Sequence, residues 1–209
     1  ERLAKRLPGE HHLLHTEVDG RFPNHHPDPS VEANLADVRR AVHEHGLDCG
    51  FAFDGDGDRI GAVDGRGRVV RADQLLALLA EPVLRDRPGA TVIADVKSSA
   101  ALFDRVAELG GRPLMWKSGH SSIKSKMLDE DAPIAGELSG HIFFAHRWYG
   151  FDDAQYAAVR VLEVMAETGR PLAELVDALP RYHGTPELRF PVDTERRLAV
   201  VDEVAARLS

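Results

Sequence analysis

Phe51-Ala52-Phe53-Asp54-Gly55-Asp56-Gly57-Asp58-Arg59 ends a short apolar run in three carboxylates spaced two apart. Such a run reads as a strand delivering its acids into one tight turn. Gly55 and Gly57 carry no Cβ, so the backbone can bend sharply enough to aim alternate side chains at one point. At ~4 Å and an effective dielectric of ~20, each carboxylate pair repels by ~4 kcal/mol. Protonation or a cation would relieve that repulsion, and hard oxygen ligands suit Mg²⁺ or Ca²⁺. A calcium EF-hand fails on its own template. Its sixth position, where glycine is needed, is Arg59, and its twelfth, where glutamate is needed, is Gly65. A solvated acidic turn and a metal site at a strand end remain, and the flanking strand and Arg59 favour the metal.

The surrounding pattern predicts an α/β fold with a partly parallel sheet. A helix is expected over 30–44, closed by Gly46, and a hairpin around Asp64-Gly65. Asp73 is placed to cap a helix bearing Leu75, Leu76, Leu79 and Val83. A strand at 91–96, a helix opened by Ser99 and a strand at 113–116 form a β-α-β unit. Ser121 or Ser122 is placed to cap the helix running to Leu128. Strands are expected at 132–135, 142–144 and 186–192, and helices at 152–168, from Pro171, and after Asp193 or Thr194.

Basic groups fall at the same strand ends. Lys97, His120, Lys124 and His141 are placed to line one face, the donor set that a phosphate monoester needs. Lys117–Ser122 (KSGHSS) offers backbone N–H groups at a helix start, an anion cradle. Glu137 and Ser139 read as alternating along an extended segment, both facing one side, able to bracket sugar hydroxyls, with His141 as proton carrier. The same hexapeptide also fits a plain glycine-rich turn. His25 and His26, in a proline-rich loop, are either metal ligands or loop hydrogen-bonders; no third ligand lies at zinc spacing.

Composition narrows the partners. A net charge of −8 argues against nucleic-acid binding, and no apolar run reaches membrane-span length. Cys49 is the only cysteine, so no internal disulfide forms, which fits a reducing, cytoplasmic setting. The chain opens and stops within helical-looking segments and reads as an excerpt. Oligomeric state stays open.

DGDGDR (54–59), GELSGH (136–141), KSGHSSIK (117–124) and FPNHHPDP (22–29) together resemble the α-D-phosphohexomutase family. The resemblance implies phosphohexomutase-like mixed α/β domains forming the interior of a four-domain enzyme. Residues 1–70 would end the metal-binding domain 2, 71–182 would be the sugar-binding domain 3, and 183–209 would begin domain 4. It implies Mg²⁺ on Asp54, Asp56 and Asp58, with Arg59 beside the phosphoryl group. Lys97 and His120 would contact substrate or assist at the reacting oxygen, Glu137 and Ser139 would read sugar hydroxyls, and His141 would carry a proton. The implied reaction moves phosphate between C1 and C6 of mannose or glucose through an enzyme phosphoserine and a hexose 1,6-bisphosphate. The family's T-A-S-H-N-P type serine loop is absent here, so this chain is expected to be inactive alone. A phosphoglucosamine mutase, a haloacid-dehalogenase-type phosphatase with Asp54 as nucleophile, and a non-catalytic metal- or sugar-phosphate-binding module are the rival readings.

Overall fold

The computed structural model describes residues 2–182 and 190–208. Its N-terminal half is built on an antiparallel meander of β1 (Cys49–Phe53), β2 (Ile60–Asp64) and β3 (Val69–Val70). Helix α1 (Ala36–His45) precedes β1. A 3-10 turn over Glu32–Leu35 takes up the first part of the expected helix, and Gly46 closes α1 at φ +60°. That left-handed residue lets the Leu47 N–H reach the Val42 carbonyl, satisfying a helix-end acceptor. In the β1–β2 pair Phe53 faces Ile60, so the acidic turn is the hairpin loop itself. β1 lies at the sheet edge and Phe53 is 40% exposed. The expected strand is present but only partly buried, and among the described residues one flank of β1 has no neighbouring strand.

Helix α2 (Ala72–Asp86) follows, then a four-stranded sheet in the order β5-β4-β6-β7. Its members are β4 (Thr91–Asp95), β5 (Arg112–Trp116), β6 (Ile134–Gly136) and β7 (Ile142–Phe144), joined through α3 (Ala100–Glu108) and α4 (His120–Asp129). β4 runs parallel to β5 and β6, and β7 returns antiparallel. The carboxyl ends of three parallel strands therefore open into the loops that carry Lys97, Ser118 and Glu137. Helices α5 (Ala154–Thr168), α6 (Leu172–Asp177) and α7 (Arg197–Leu208) complete the chain.

A single apolar cluster joins both sheets. It holds Ile60, Ala62 and Val70 from the first, Val92, Ala94, Ile134 and Phe144 from the second, and Leu75, Leu76, Leu79 and Val83 of α2 between them. Burying each such side chain is worth about 1.5–3 kcal/mol as an upper bound, so α2 fixes one sheet's loops against the other's. Ala157 and Val161 of α5 belong to the same cluster.

Several expected caps are corrected. Asp73 sits inside the first turn of α2; it pairs with Arg71 and accepts the Ser99 N–H, while Gln74 accepts the Arg71 N–H. Gly119, not Ser121 or Ser122, precedes α4, and the Ser122 hydroxyl accepts the Trp116 indole N–H. Ser99 does cap α3. Asp153 rather than Asp152 caps α5, because Asp152 is engaged elsewhere. Asp193 accepts the Glu195 N–H, but α7 starts only at Arg197, and none of its described residues is buried. Of the expected strand at 186–192, positions 186–189 lie outside the described residues and 190–192 are not strand.

Candidate functional site

The turn after β1 is organised by Asp54. Its Oδ1 accepts backbone N–H groups from Gly57, Asp58 and Arg59 at 3.1, 3.0 and 3.0 Å. Its Oδ2 accepts the Arg59 Nε–H at 2.7 Å. One carboxylate thereby satisfies four donors within five residues, and Arg59 extends the clamp to Asp28 at 3.2 Å. Burial pushes the Asp54 carboxyl up, but the Arg59 N–H and guanidinium, with Asp58 as a further donor, outweigh it and hold it low. Asp58 moves the other way. Burial, the Asp54 hydrogen bond and the charges of Asp54 and Asp56 push its carboxyl up, against an opposing pull from His141. Ligand oxygens of Asp54, Asp56 and Asp58 lie within 4.8 Å of one another. Oxygen donors in mutual repulsion fit a hard divalent cation such as Mg²⁺.

Asp54 is a poor candidate nucleophile, which counts against the phosphatase alternative. Its side chain is 2% exposed, and both oxygens are occupied by donors.

The acidic turn docks against the 136–141 loop. The Ile60 N–H donates to the Gly140 carbonyl at 3.0 Å, and Arg59 and His141 form an antiparallel bridge. Gly140 is required there: its φ is +106°, and a Cβ would sit 2.8 Å from the Ile60 carbonyl oxygen. The Ala154 N–H donates to the Gly57 carbonyl, tying the turn also to the start of α5.

The 136–141 loop is not extended. The Glu137 N–H donates to the His141 carbonyl and the Gly140 N–H to the Glu137 carbonyl, a tight turn joining β6 to β7. The expectation that Glu137 and Ser139 share a face by strand alternation is therefore corrected. Glu137 is buried and its Oε1 accepts the Gly119 N–H at 2.5 Å. The anion cradle expected at the start of α4 thus already gives one N–H to the protein's own carboxylate. Ser139 instead lines a cleft of about 330 Å³ together with Lys97, Leu138 and Arg71. A larger hollow of about 440 Å³ lies over Val96, Met115, Trp116 and Lys117. It offers one charged group, whereas the smaller cleft borders the docked loops.

His141 Nδ1 lies 3.0 Å from Asp152 Oδ2 and 3.8 Å from Asp58 Oδ1. The contact with Asp152 lacks the geometry of a directed hydrogen bond, and neither buried atom has a hydrogen-bond partner. The Lys124 ammonium donates to the other Asp152 oxygen at 3.1 Å. The His120 ring, exposed at the start of α4, stands 5.9 Å from that of His141. Arg59, His120, His141 and Lys124 are thus gathered around the acidic turn. Lys97 and Ser139 meet in the neighbouring cleft.

One group escaped the sequence reading and another was read in a different role. Asp95, fully buried at the end of β4, accepts from the Ser98 and Ser118 hydroxyls and the Leu138 N–H at 2.9, 2.7 and 3.1 Å. It locks the three strand-end loops to one another. An acid closing an otherwise apolar strand just before Lys97 was the available signal. Asp152, which holds His141 and Lys124, reads in the sequence only with Asp153 and Lys117 or Lys124 as an imitation of the phosphatase's later motifs.

Residues 71–182 match the family model described as phosphoglucomutase/phosphomannomutase, alpha/beta/alpha domain III, and residues 1–67 match the corresponding domain II. A phosphomannomutase/phosphoglucomutase of Pseudomonas putida is 49% identical over 189 residues, 90% of this chain and 41% of that protein. A phosphoglucomutase of Neisseria gonorrhoeae is 45% identical over 207 residues, 99% of this chain and 45% of its own length. A crystal structure of a family protein from Burkholderia thailandensis superposes with a TM-score of 0.79 at 50% identity, covering 83% of this chain and 38% of that one. The chain therefore spans less than half the length of these relatives. With two adjoining family domains and identities near one half, this chain belongs to the phosphoglucomutase/phosphomannomutase family.

Proposed function

We propose that this chain is the metal- and sugar-binding portion of a phosphohexomutase, an isomerase that moves phosphate between C1 and C6 of mannose or glucose. Residues 1–70 form the end of its metal domain, 71–182 its sugar domain, and 183–209 the start of a further domain. The observation that carries the reading is the backbone bridge between Arg59 and His141, which sets three carboxylates beside the loop of Glu137, Ser139 and His141. Asp54, Asp56 and Asp58 would hold Mg²⁺. Bound there, the ion supplies positive charge against phosphoryl oxygens.

The chain's own groups divide the remaining work. Arg59, clamped by Asp54 and Asp28, presents a fixed cationic edge to a phosphate beside the turn. Lys97 and Ser139 meet the sugar phosphate in the cleft, one through charge and the other through its hydroxyl. Glu137, with one oxygen committed to the Gly119 N–H, reads a sugar hydroxyl with the other. Asp152 steadies His141, which hands a proton to or from the reacting oxygen, with His120 alongside. Positioning and electrostatics dominate such phosphoryl transfer, so fixed geometry matters more than any one acid or base. A phosphorylated hexose is the partner, and among the described residues no helix is long and apolar enough to cross a membrane.

Calorimetric titration of mannose 1-phosphate and glucose 1-phosphate into the chain with Mg²⁺ tests this. Binding is expected, weakened about tenfold by Lys97→Ala, since a charged hydrogen bond is worth ~1.5–3 kcal/mol. Absence of binding, or binding indifferent to Lys97 and Ser139, overturns it. Given no serine loop in these 209 residues, glucose 1-phosphate with a bisphosphate activator should yield no sustained 6-phosphate.

A further inference from the structure

Away from the acidic turn, one ring nitrogen each of His15 and His25 and a carboxylate oxygen of Asp37 lie within 4.8 Å of one another. They come from three separate segments: an N-terminal strap, the proline-rich loop and the first turn of α1. Sequence spacing offered His25 no further ligand because the others lie ten residues before it and twelve after. We propose that His15, His25 and Asp37 form a binding site for a zinc-like divalent cation, distinct from the Asp54 cluster.

The donor set differs from that cluster in kind. Two imidazoles and one carboxylate select Zn²⁺ over Mg²⁺, and three protein ligands leave the fourth tetrahedral position to water at this partly exposed surface. His15 Nε2 and Asp37 Oδ2 already stand 3.0 Å apart. A carboxylate oxygen only accepts, so His15 donates an Nε2 proton there; Zn²⁺ would take that proton's place and release it to solvent.

The supporting contacts have the form that metal ligands need. His25 Nδ1 lies 2.9 Å from the His26 carbonyl oxygen, which fixes the proton on Nδ1 and leaves the lone pair on Nε2. Asp37 Oδ1 accepts from Arg40 at 2.7 Å, freeing Oδ2 to face His15. His15 itself is held at φ +51°, a conformation uncommon outside glycine. A bound ion would brace the 20–30 loop, whose Asp28 holds Arg59.

Zn²⁺ uptake by the chain, measured by calorimetry in excess Mg²⁺ to occupy the aspartates, tests this, with visible absorption of the Co²⁺ form as a second readout. One equivalent is expected to bind. His15→Ala and His25→Ala should each weaken it at least ~100-fold, because losing a ligand costs more than losing an outer-shell partner. Both should also abolish the Co²⁺ ligand-field bands. The double variant H12A/H45A, which removes a neighbouring stacked histidine pair, should bind as before. Uptake that survives loss of His15 and His25, uptake that follows His12 and His45, or no uptake at all overturns the proposal. Asp37→Asn, at a half-buried surface position, repeats the test without touching a histidine.

Discussion

The two loops that meet at the candidate site are held by opposite means. In the 54–59 turn, Asp54 gathers four donors from residues no more than five positions away. In the 136–141 loop, Glu137 reaches back 18 residues to Gly119, Leu138 donates 43 residues back to Asp95, and Gly140 accepts from Ile60. The acidic turn is thus shaped chiefly from within, its charges left in tension, and is anchored outward through Asp28, Gly140 and Ala154. The 136–141 loop has two turn bonds of its own but takes its position from partners elsewhere in the fold. A local turn can survive partial loosening of the molecule, whereas a loop hung on distant partners reports on the whole core.

The sharpest way to break that contrast is Gly140→Ala. A side chain there meets the Ile60 carbonyl and a left-handed backbone at once, and the expected loss is about 3 kcal/mol in urea unfolding. Amide exchange should quicken at Ile60 and His141 while Gly57 and Asp58 stay protected; equal loss in both loops would erase the distinction.

Asp95→Ala comes next, with a loss of about 2–3 kcal/mol, since three donors lose a buried acceptor. Sugar-phosphate affinity should fall while Mg²⁺ affinity at the acidic turn holds.

Asp58→Asn should act with opposite signs on stability and on metal. The Asp58 carboxyl is pushed up by burial and by Asp54, so in the metal-free fold its ionised form is destabilising above the unfolded carboxylate range. The amide should raise the melting temperature at pH 7 without metal by a degree or so, roughly half a kcal/mol, and weaken Mg²⁺ binding at least tenfold. A lower melting temperature without metal would show that the turn is not in electrostatic tension.

The smallest effect is a control outside both loops. His146, beside Asp86, is held below its ordinary value by burial and by the Arg160 charge. The unfolded chain then takes up a proton first, so stability is full above about pH 6.5 and declines as pH falls below it. His146→Gln should flatten that decline in melting temperature and leave sugar-phosphate binding unchanged.

Some elements follow from the sequence almost directly. Ser99 before α3, Gly46 and Gly169 after their helices, and the hairpin at Asp64 obey local rules, because a cap or turn is decided by the few bonds within it. Asp73 and Ser122 break those rules for a common reason. Each had a better partner outside its own helix, the Ser99 N–H in one case and the Trp116 indole in the other.

By itself, the sequence determined the α/β alternation, the acidic hairpin and the basic residue types at the strand ends, since apolar period, turn chemistry and charge spacing act over short stretches of chain. Only the tertiary structure decided that Glu137 would turn inward to the start of α4, that Asp95 and Asp152 would hold the loops, and that His15 would find His25 and Asp37. Those pairings join residues ten or more positions apart, and the ones at the strand-end loops stand on two sheets that the buried leucines of α2 hold together. A hydrogen bond across 43 residues leaves no periodic trace; it is set by packing.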